Sequence, residues 1–174
     1  MRSGFLSAGL IALAAVSGLA QAEDKPKPQC DGRYAASGAA NIAACTAALK
    51  EPGLRDDDRA TMLNIRGNNY DFTKQYDLAI ADYSDVIRLK QPVLLEYAYA
   101  NRGLEECRKG LCADALADYE QALRLDPDND YARYGRGIAR LRSGDAKGGK
   151  ADIDAVNARG DDTAEIYVQI GMTP

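Results

Sequence analysis

Apolar residues recur at helical spacing in two stretches that align with each other, Leu78, Ile80, Tyr83 and Ile87 in one and Leu116, Tyr119 and Leu123 in the other. Chain breakers punctuate the pattern at Lys109-Gly110, at Ser143-Gly144-Asp145, and at Asp126-Pro127-Asp128-Asn129. These mark turns between helices. Polar positions repeat as strictly. Arg66-Gly67 precedes Ala81-Asp82, Arg102-Gly103 precedes Ala117-Asp118, and Arg136-Gly137 precedes Ala151-Asp152. Arg and Asp are 16 residues apart each time, and the copies recur after 36 and then 34 residues. Self-similarity at such a period predicts a helical repeat array, so function is expected on an extended surface before a catalytic pocket.

Aligned on the glycines, the first unit places Leu63, Gly67, Tyr70, Ala79, Tyr83 and Val86 at packing positions. The second places Tyr99, Gly103, Ala115, Tyr119, Ala122 and Pro127 there, and the third Gly137, Gly149, Ile153 and Val156. Small residues at a crossing let two helices approach, so Gly67 is expected to face Ala79, and Gly103 to face Ala115. Tyr83 and Tyr119 would fill the space towards the next unit. This pattern over residues 60–158 resembles the tetratricopeptide repeat, degenerate in the third unit, where Arg133 and Arg140 stand in place of aromatics. The resemblance implies an all-α fold, a right-handed α-solenoid of stacked helix-turn-helix repeats. Residues 59–92, 93–128 and 129–159 are the three repeats.

Solenoid ends need caps, because each unit buries its apolar face only against neighbours. Ile42 to Leu49 aligns without gaps onto Ile80 to Ile87, so residues 31–58 read as a partial N-terminal repeat with Cys45 in the aromatic's place. Residues 160–174 read as a capping helix and tail. Asp161 is placed to cap that helix, and Ala164, Ile166, Tyr167 and Ile170 are placed to cover the third unit. Arg66, Arg102 and Arg136 with Asp82, Asp118 and Asp152 are expected to be scaffold, a ladder that sets the helix angle within or between units.

Residues 1–22 are expected to be a cleaved signal peptide: Arg2, an uncharged apolar run from Phe5 to Leu19, and the small-x-small end Ala20-Gln21-Ala22. A leader over 23–30 follows. The formal charge of −4 becomes −5 once Arg2 is removed, with 21 basic against 26 acidic residues. No dense basic stripe is present, which argues against nucleic acid or anionic lipid as partner. Four cysteines in an exported chain suggest two disulfides. Four allow three connectivities. Cys30–Cys45 and Cys107–Cys112 are favoured, because each pair falls within one helical hairpin. Such loops contribute about 3 and about 2 kcal/mol in the chain-entropy model. A metal site at Cys107-x4-Cys112 would lack any His partner, since the chain has none.

Other chemical motifs weaken on inspection. Gly144 to Ala151 has the glycine and lysine spacing of a phosphate loop but ends in Ala151 where Ser or Thr is needed, and no strand precedes it. Asp126, Asp128 and Asp130 open like a calcium loop, yet Tyr131 and Gly137 occupy the places that need Gly and Glu. Asp56-Asp57-Asp58 reads as the acidic first turn of a helix over 59–73. Without His, the commonest triads and zinc sites are excluded. The expected protein is not an enzyme and takes no cofactor, metal or small-molecule substrate.

In the family that the chain resembles, the first helix of each repeat lines a concave groove. Carried over, the groove comprises Asn64, Asn68 and Asp71 in the first repeat. Tyr97, Asn101, Leu104 and Arg108 follow in the second, and Tyr131, Tyr134, Ile138 and Leu141 in the third. Tyr and Asn suit peptide contact. One subfamily grips a C-terminal carboxylate with two Asn and three basic residues. Asn68 and Asn101 match its Asn, but Asn64, Tyr131 and Gly135 stand at its basic places, which argues against that clamp. The resulting expectation is a periplasmic or secreted scaffold that binds a protein or peptide in its groove, free of the membrane after cleavage and able to form a homodimer. The alternative is a thiol-dependent redox sensor using Cys107 and Cys112.

Overall fold

The structure, a computed structural model, describes Cys30, residues 38–160 and residues 162–174. The signal peptide, the leader up to Gln29 and the capping role of Asp161 lie outside the described residues. Eight helices are present among the described residues, with no strand: α1 (Gly38–Ala48), α2 (Asp56–Phe72), α3 (Tyr76–Leu89), α4 (Pro92–Arg108), α5 (Cys112–Leu125), α6 (Asp130–Arg142), α7 (Ala146–Asn157) and α8 (Thr163–Gln169). The chain is an all-α solenoid.

Each unit is a helical hairpin. α2 pairs with α3, α4 with α5, and α6 with α7, while α3 packs on α4 and α5 on α6 to join the units. α2, α4 and α6 also touch in series and form one layer, with α3, α5 and α7 as the other. α8 packs on α6 and α7, where the first helix of a fourth unit would lie.

Local chemistry accounts for the helix limits. α2 begins at Asp56, three residues before the expected Arg59, so its three aspartates occupy the first turn and complement the positive end of the helix dipole. Pro92 starts α4, where its missing N–H costs nothing. Asn129 caps α6 by accepting from the Ala132 N–H at 2.8 Å, and Asp145 caps α7 through the Gly148 N–H at 2.9 Å. Gly144 to Ala151 is thus a turn and a helix start. The turn at 126–130 is engaged by Arg159, which lies 3.2 Å from Asp128 and 2.9 Å from Asp130.

The turn inside each hairpin is built the same way three times. Gln75, Leu111 and Asp145 donate back to the carbonyls of Tyr70, Glu106 and Arg140 at 2.8, 2.9 and 2.9 Å. This is a Schellman closure, and it requires a left-handed residue just before the donor. Gly110 and Gly144 supply it with φ of 86° and 95°, but in the first repeat the residue is Lys74, at φ 59°.

Small residues admit the close crossings. A Cβ on Gly103 would stand 3.3 Å from the Ala115 carbonyl, and one on Gly137 would stand 3.0 Å from that of Gly149. At Gly67 the nearest neighbour is the Tyr83 ring, at 2.8 Å, rather than Ala79. Tyr119 fills the space between repeats: its ring is 3.4 Å from the Gly103 position and 2.5 Å from that of Gly135 in the next unit. Disulfides join Cys30 to Cys45 and Cys107 to Cys112. The second staples the same hairpin whose turn Gly110 makes.

The Arg–Asp pairs each close within their own unit. Arg66 grips Asp82 through bonds of 2.8 and 2.7 Å, Arg102 grips Asp118 at 2.6 and 2.7 Å, and Arg136 grips Asp152 at 2.8 and 2.7 Å. The third nitrogen reaches the preceding unit. Arg66 donates to the Thr46 hydroxyl at 3.1 Å and Arg102 to that of Ser84 at 3.0 Å. Thr46 and Ser84 are equivalent positions, so α1 stands towards the first repeat as α3 stands towards the second. In the third unit Arg140 adds a bond of 2.8 Å to Asp152. The bidentate geometry fixes orientation as well as distance, which is what a repeated helix angle needs.

Candidate functional site: the groove between α2 and α4

The α2–α4 layer carries a cavity of about 630 Å³, closed on its far side by Gln169, Ile170 and Gly171 at the end of α8. Asn68 and Asp71 on α2 line it together with Asn101 and Arg108 on α4. Lys74 and Tyr76, from the first intra-repeat turn and the start of α3, complete the rim beside the exposed Phe72. Four of the carried-over groove residues therefore meet around one space.

Their hydrogen bonds orient them. The Tyr83 hydroxyl donates to the Asn68 side-chain oxygen at 2.8 Å, and the Asn101 amide approaches the same oxygen at 3.5 Å. With its oxygen used twice, Asn68 turns its NH2 outward as a donor. Arg108 lies over the Tyr76 ring, 5.4 Å from its centroid. One of its terminal nitrogens donates to Asp71 and, at 3.1 Å, to Glu105 one turn earlier on α4.

Glu105 is a fully buried carboxyl beneath the groove floor. Burial pushes its pKa up to about 8, and the neighbouring Asp71 charge adds to the rise against the opposing pull of Arg108. Near neutral pH the group is thus largely protonated, and Arg108 is balanced chiefly by Asp71. The phenols of Tyr119, Tyr131 and Tyr167 are raised as well, by burial first.

The other carried-over residues lie elsewhere. Tyr97 is half exposed near the start of α4. Asn64, earlier on α2, has a buried side-chain oxygen without a partner. Leu104 and Ile138 are core residues, 2% and 0% exposed, and Leu141 packs partly buried against the same core. Tyr131 and Tyr134 are covered by α8. The Tyr167 ring sits 4.9 Å from Tyr131 and 5.1 Å from Tyr134, and its hydroxyl donates to the Tyr131 carbonyl at 3.0 Å. Ala164 and Ile170 pack beside it while Ile166 stays partly exposed. Below the helix, Met172 is buried and Arg142 bonds the Thr173 carbonyl at 3.0 Å. The third repeat's share of the groove is therefore filled by the chain's own C-terminal helix, and the open part lies between α2 and α4.

Sequence reasoning missed Lys74, Tyr76, Glu105 and the Gln169–Gly171 wall. Lys74 had a signal, because it aligns with Gly110 and Gly144. Glu105 had none, since nothing in the repeat pattern marks it as buried.

A family model described as a tetratricopeptide repeat matches residues 60–92, and one described as a TPR repeat matches residues 103–144. The matches span the first hairpin and run from α4 to the end of α6. Repeats of this kind serve as protein-interaction scaffolds.

Proposed function

We propose that this chain, a tetratricopeptide-repeat protein, is a non-enzymatic scaffold of the cell envelope that holds an extended peptide or protein segment between α2 and α4. The observation that carries the reading is the pairing of Asn68 and Asn101 across two neighbouring helices above a cavity of about 630 Å³. Carboxamides can satisfy both the N–H and the C=O of a peptide backbone, and an extended segment leaves both groups free. The absence of His from the whole chain supports a binding role over acid–base chemistry. The envelope location is supported by the signal-like residues 1–22 and by two disulfides, which persist in oxidising compartments.

The test has two arms. Fractionation of the producing cell should place the processed chain outside the cytoplasm. Affinity capture from that fraction should recover partners with the native protein and lose them with Asn68→Ala/Asn101→Ala. Recovery of the same partners with both forms would contradict the groove assignment. A cytoplasmic, unprocessed chain would contradict the location.

A further inference from the structure

Glu105 stands at a helical position where the other two repeats carry neutral residues. Its equivalents, 36 residues earlier and 34 later, are Asn69 and Ala139. All three are buried, at 0% exposure for Glu105, 3% for Asn69 and 0% for Ala139. The packing of a repeat therefore does not call for a carboxyl there. Burying one is costly, and titratable groups held in such surroundings gather at functional positions.

The carboxyl touches groups from two helices. Arg108, one turn later on α4, sends a single terminal nitrogen both to Glu105, at 3.1 and 3.3 Å, and to Asp71 on α2. Glu105 also hydrogen-bonds with Asp71 directly. Two carboxyl groups share a bond only when one of them holds a proton, and burial assigns that proton to Glu105. Farther along the groove Asn101 approaches Asn68 only at 3.5 Å, so the Asp71 end is the firmer tie between α2 and α4. The groups around the cluster on the other elements are phenols: Tyr76 of α3 stacked on Arg108, Tyr119 of α5, Tyr131 of α6 and Tyr167 of α8. Burial raises the last three, so they stay neutral while Glu105 titrates. Lys109 is engaged by Asp77 of α3, and Lys74 lines the cavity above.

We propose that the Glu105 proton latches the groove, so that parting α2 from α4 at the Asp71 end exposes the carboxyl and releases one proton. With the proton in place, Asp71 and Arg108 balance each other and Glu105 bonds to Asp71. Without it, two carboxylates share one guanidinium at the boundary between the helices, and their repulsion favours separation. The closed form is thus favoured most at low pH and loses that advantage as pH rises to about 8. The consequence for a partner rests on the groove reading above: a segment that must part the helices to enter binds more tightly as pH rises through this window.

Hydrogen exchange of the disulfide-intact protein between pH 6 and pH 9 tests the latch, with Glu105→Gln as reference. Gln keeps a donor for Asp71 but has no proton to release, and the ratio of the two rates at each pH cancels the chemical pH dependence of exchange. At the C-terminal ends of α2 and α4 the ratio of native to variant rate should rise about tenfold per pH unit, as release of one proton requires, and level above about pH 8. The rise should appear in amides protected by less than the global stability measured in urea, which marks local opening. A constant ratio, or a rise confined to amides that exchange by global unfolding, would overturn the latch. A second measurement needs no folded Gln variant. The Glu105 carboxyl carbon of the native protein, followed by NMR, should titrate near pH 8, and a midpoint in the ordinary carboxylate range would also overturn it. None of these failures touches the groove reading, which stands or falls on partner capture with Asn68→Ala/Asn101→Ala.

Discussion

The guanidinium of Arg102 meets the carboxylate of Asp118 through two bonds of 2.6 and 2.7 Å, and the same pairing recurs at Arg66–Asp82 and Arg136–Asp152. Each carboxylate is buried and each arginine largely so. Pairs of this kind add little net stability over an apolar substitute, yet losing one partner strands a buried charge.

Asp118→Ala should therefore lower unfolding stability by about 3–5 kcal/mol, whereas the double replacement Arg102→Met/Asp118→Leu should recover most of that loss. Urea denaturation of the three forms makes the comparison. Equal losses in the single and double variants would show that the site matters for something other than charge pairing.

Tyr167 is the largest fully buried side chain of α8. It lies against Tyr131 and Tyr134, and its hydroxyl is close to the Gly135 position. Tyr167→Ala should cost about 3–5 kcal/mol, as for other buried aromatic truncations. The loss should be localised: hydrogen exchange should rise in α8 and α6 before it rises in α2. Uniform loss of protection would mean that the cap and the first repeat unfold as one unit.

The buried Glu105 makes stability depend on pH. Its folded pKa is raised from 4.5 to about 8 by burial and by Asp71. A raised acid binds its proton more tightly in the folded state, so its contribution is complete below about pH 4.5 and disappears as pH rises through 8. The native protein should lose stability relative to Glu105→Gln across that window, with the difference levelling above it. Urea midpoints of both forms between pH 5 and pH 9 (buffered at constant ionic strength) check the sign. A difference that stays constant with pH would place the ionised carboxylate in the fold at all these values.

The two disulfides close loops of 15 and 5 residues in sequence separation. The chain-entropy model assigns them about 3 and about 2 kcal/mol. Replacing Cys107 and Cys112 together by Ala should therefore cost less than replacing Cys30 and Cys45. Chemical denaturation under oxidising conditions measures both, and the reverse order would show that strain or local packing outweighs loop entropy.

The parts that could be read without coordinates are those that recur. Gly103 facing Ala115, and the Arg–Asp pairs at a spacing of 16, follow from a unit that must solve the same packing problem three times. The cavity was half legible. Asn68, Asp71, Asn101 and Arg108 converge because they share the inner face of α2 and α4. Positional transfer fails at Leu104, Ile138 and Tyr134, since counting residues on a helix face does not reveal what packs over it. The covering element, α8, lies outside the repeat and contributes Tyr167 and the Gln169–Gly171 wall. Lys74 could have been found by aligning the three turns, whereas the burial of Glu105 is a tertiary effect with no local signature.

Site-specific photocrosslinking tests the central claim most directly. Phe72 is 72% exposed on the rim of the α2–α4 cavity, and Leu125 is 49% exposed at the end of α5, outside that cavity. A benzophenone side chain at each position reports what approaches it. The account predicts a partner adduct from position 72 that is lost when Asn68 and Asn101 are both replaced by Ala, and none from position 125. Adducts from position 125 alone, or adducts from position 72 that survive the double replacement, would contradict it.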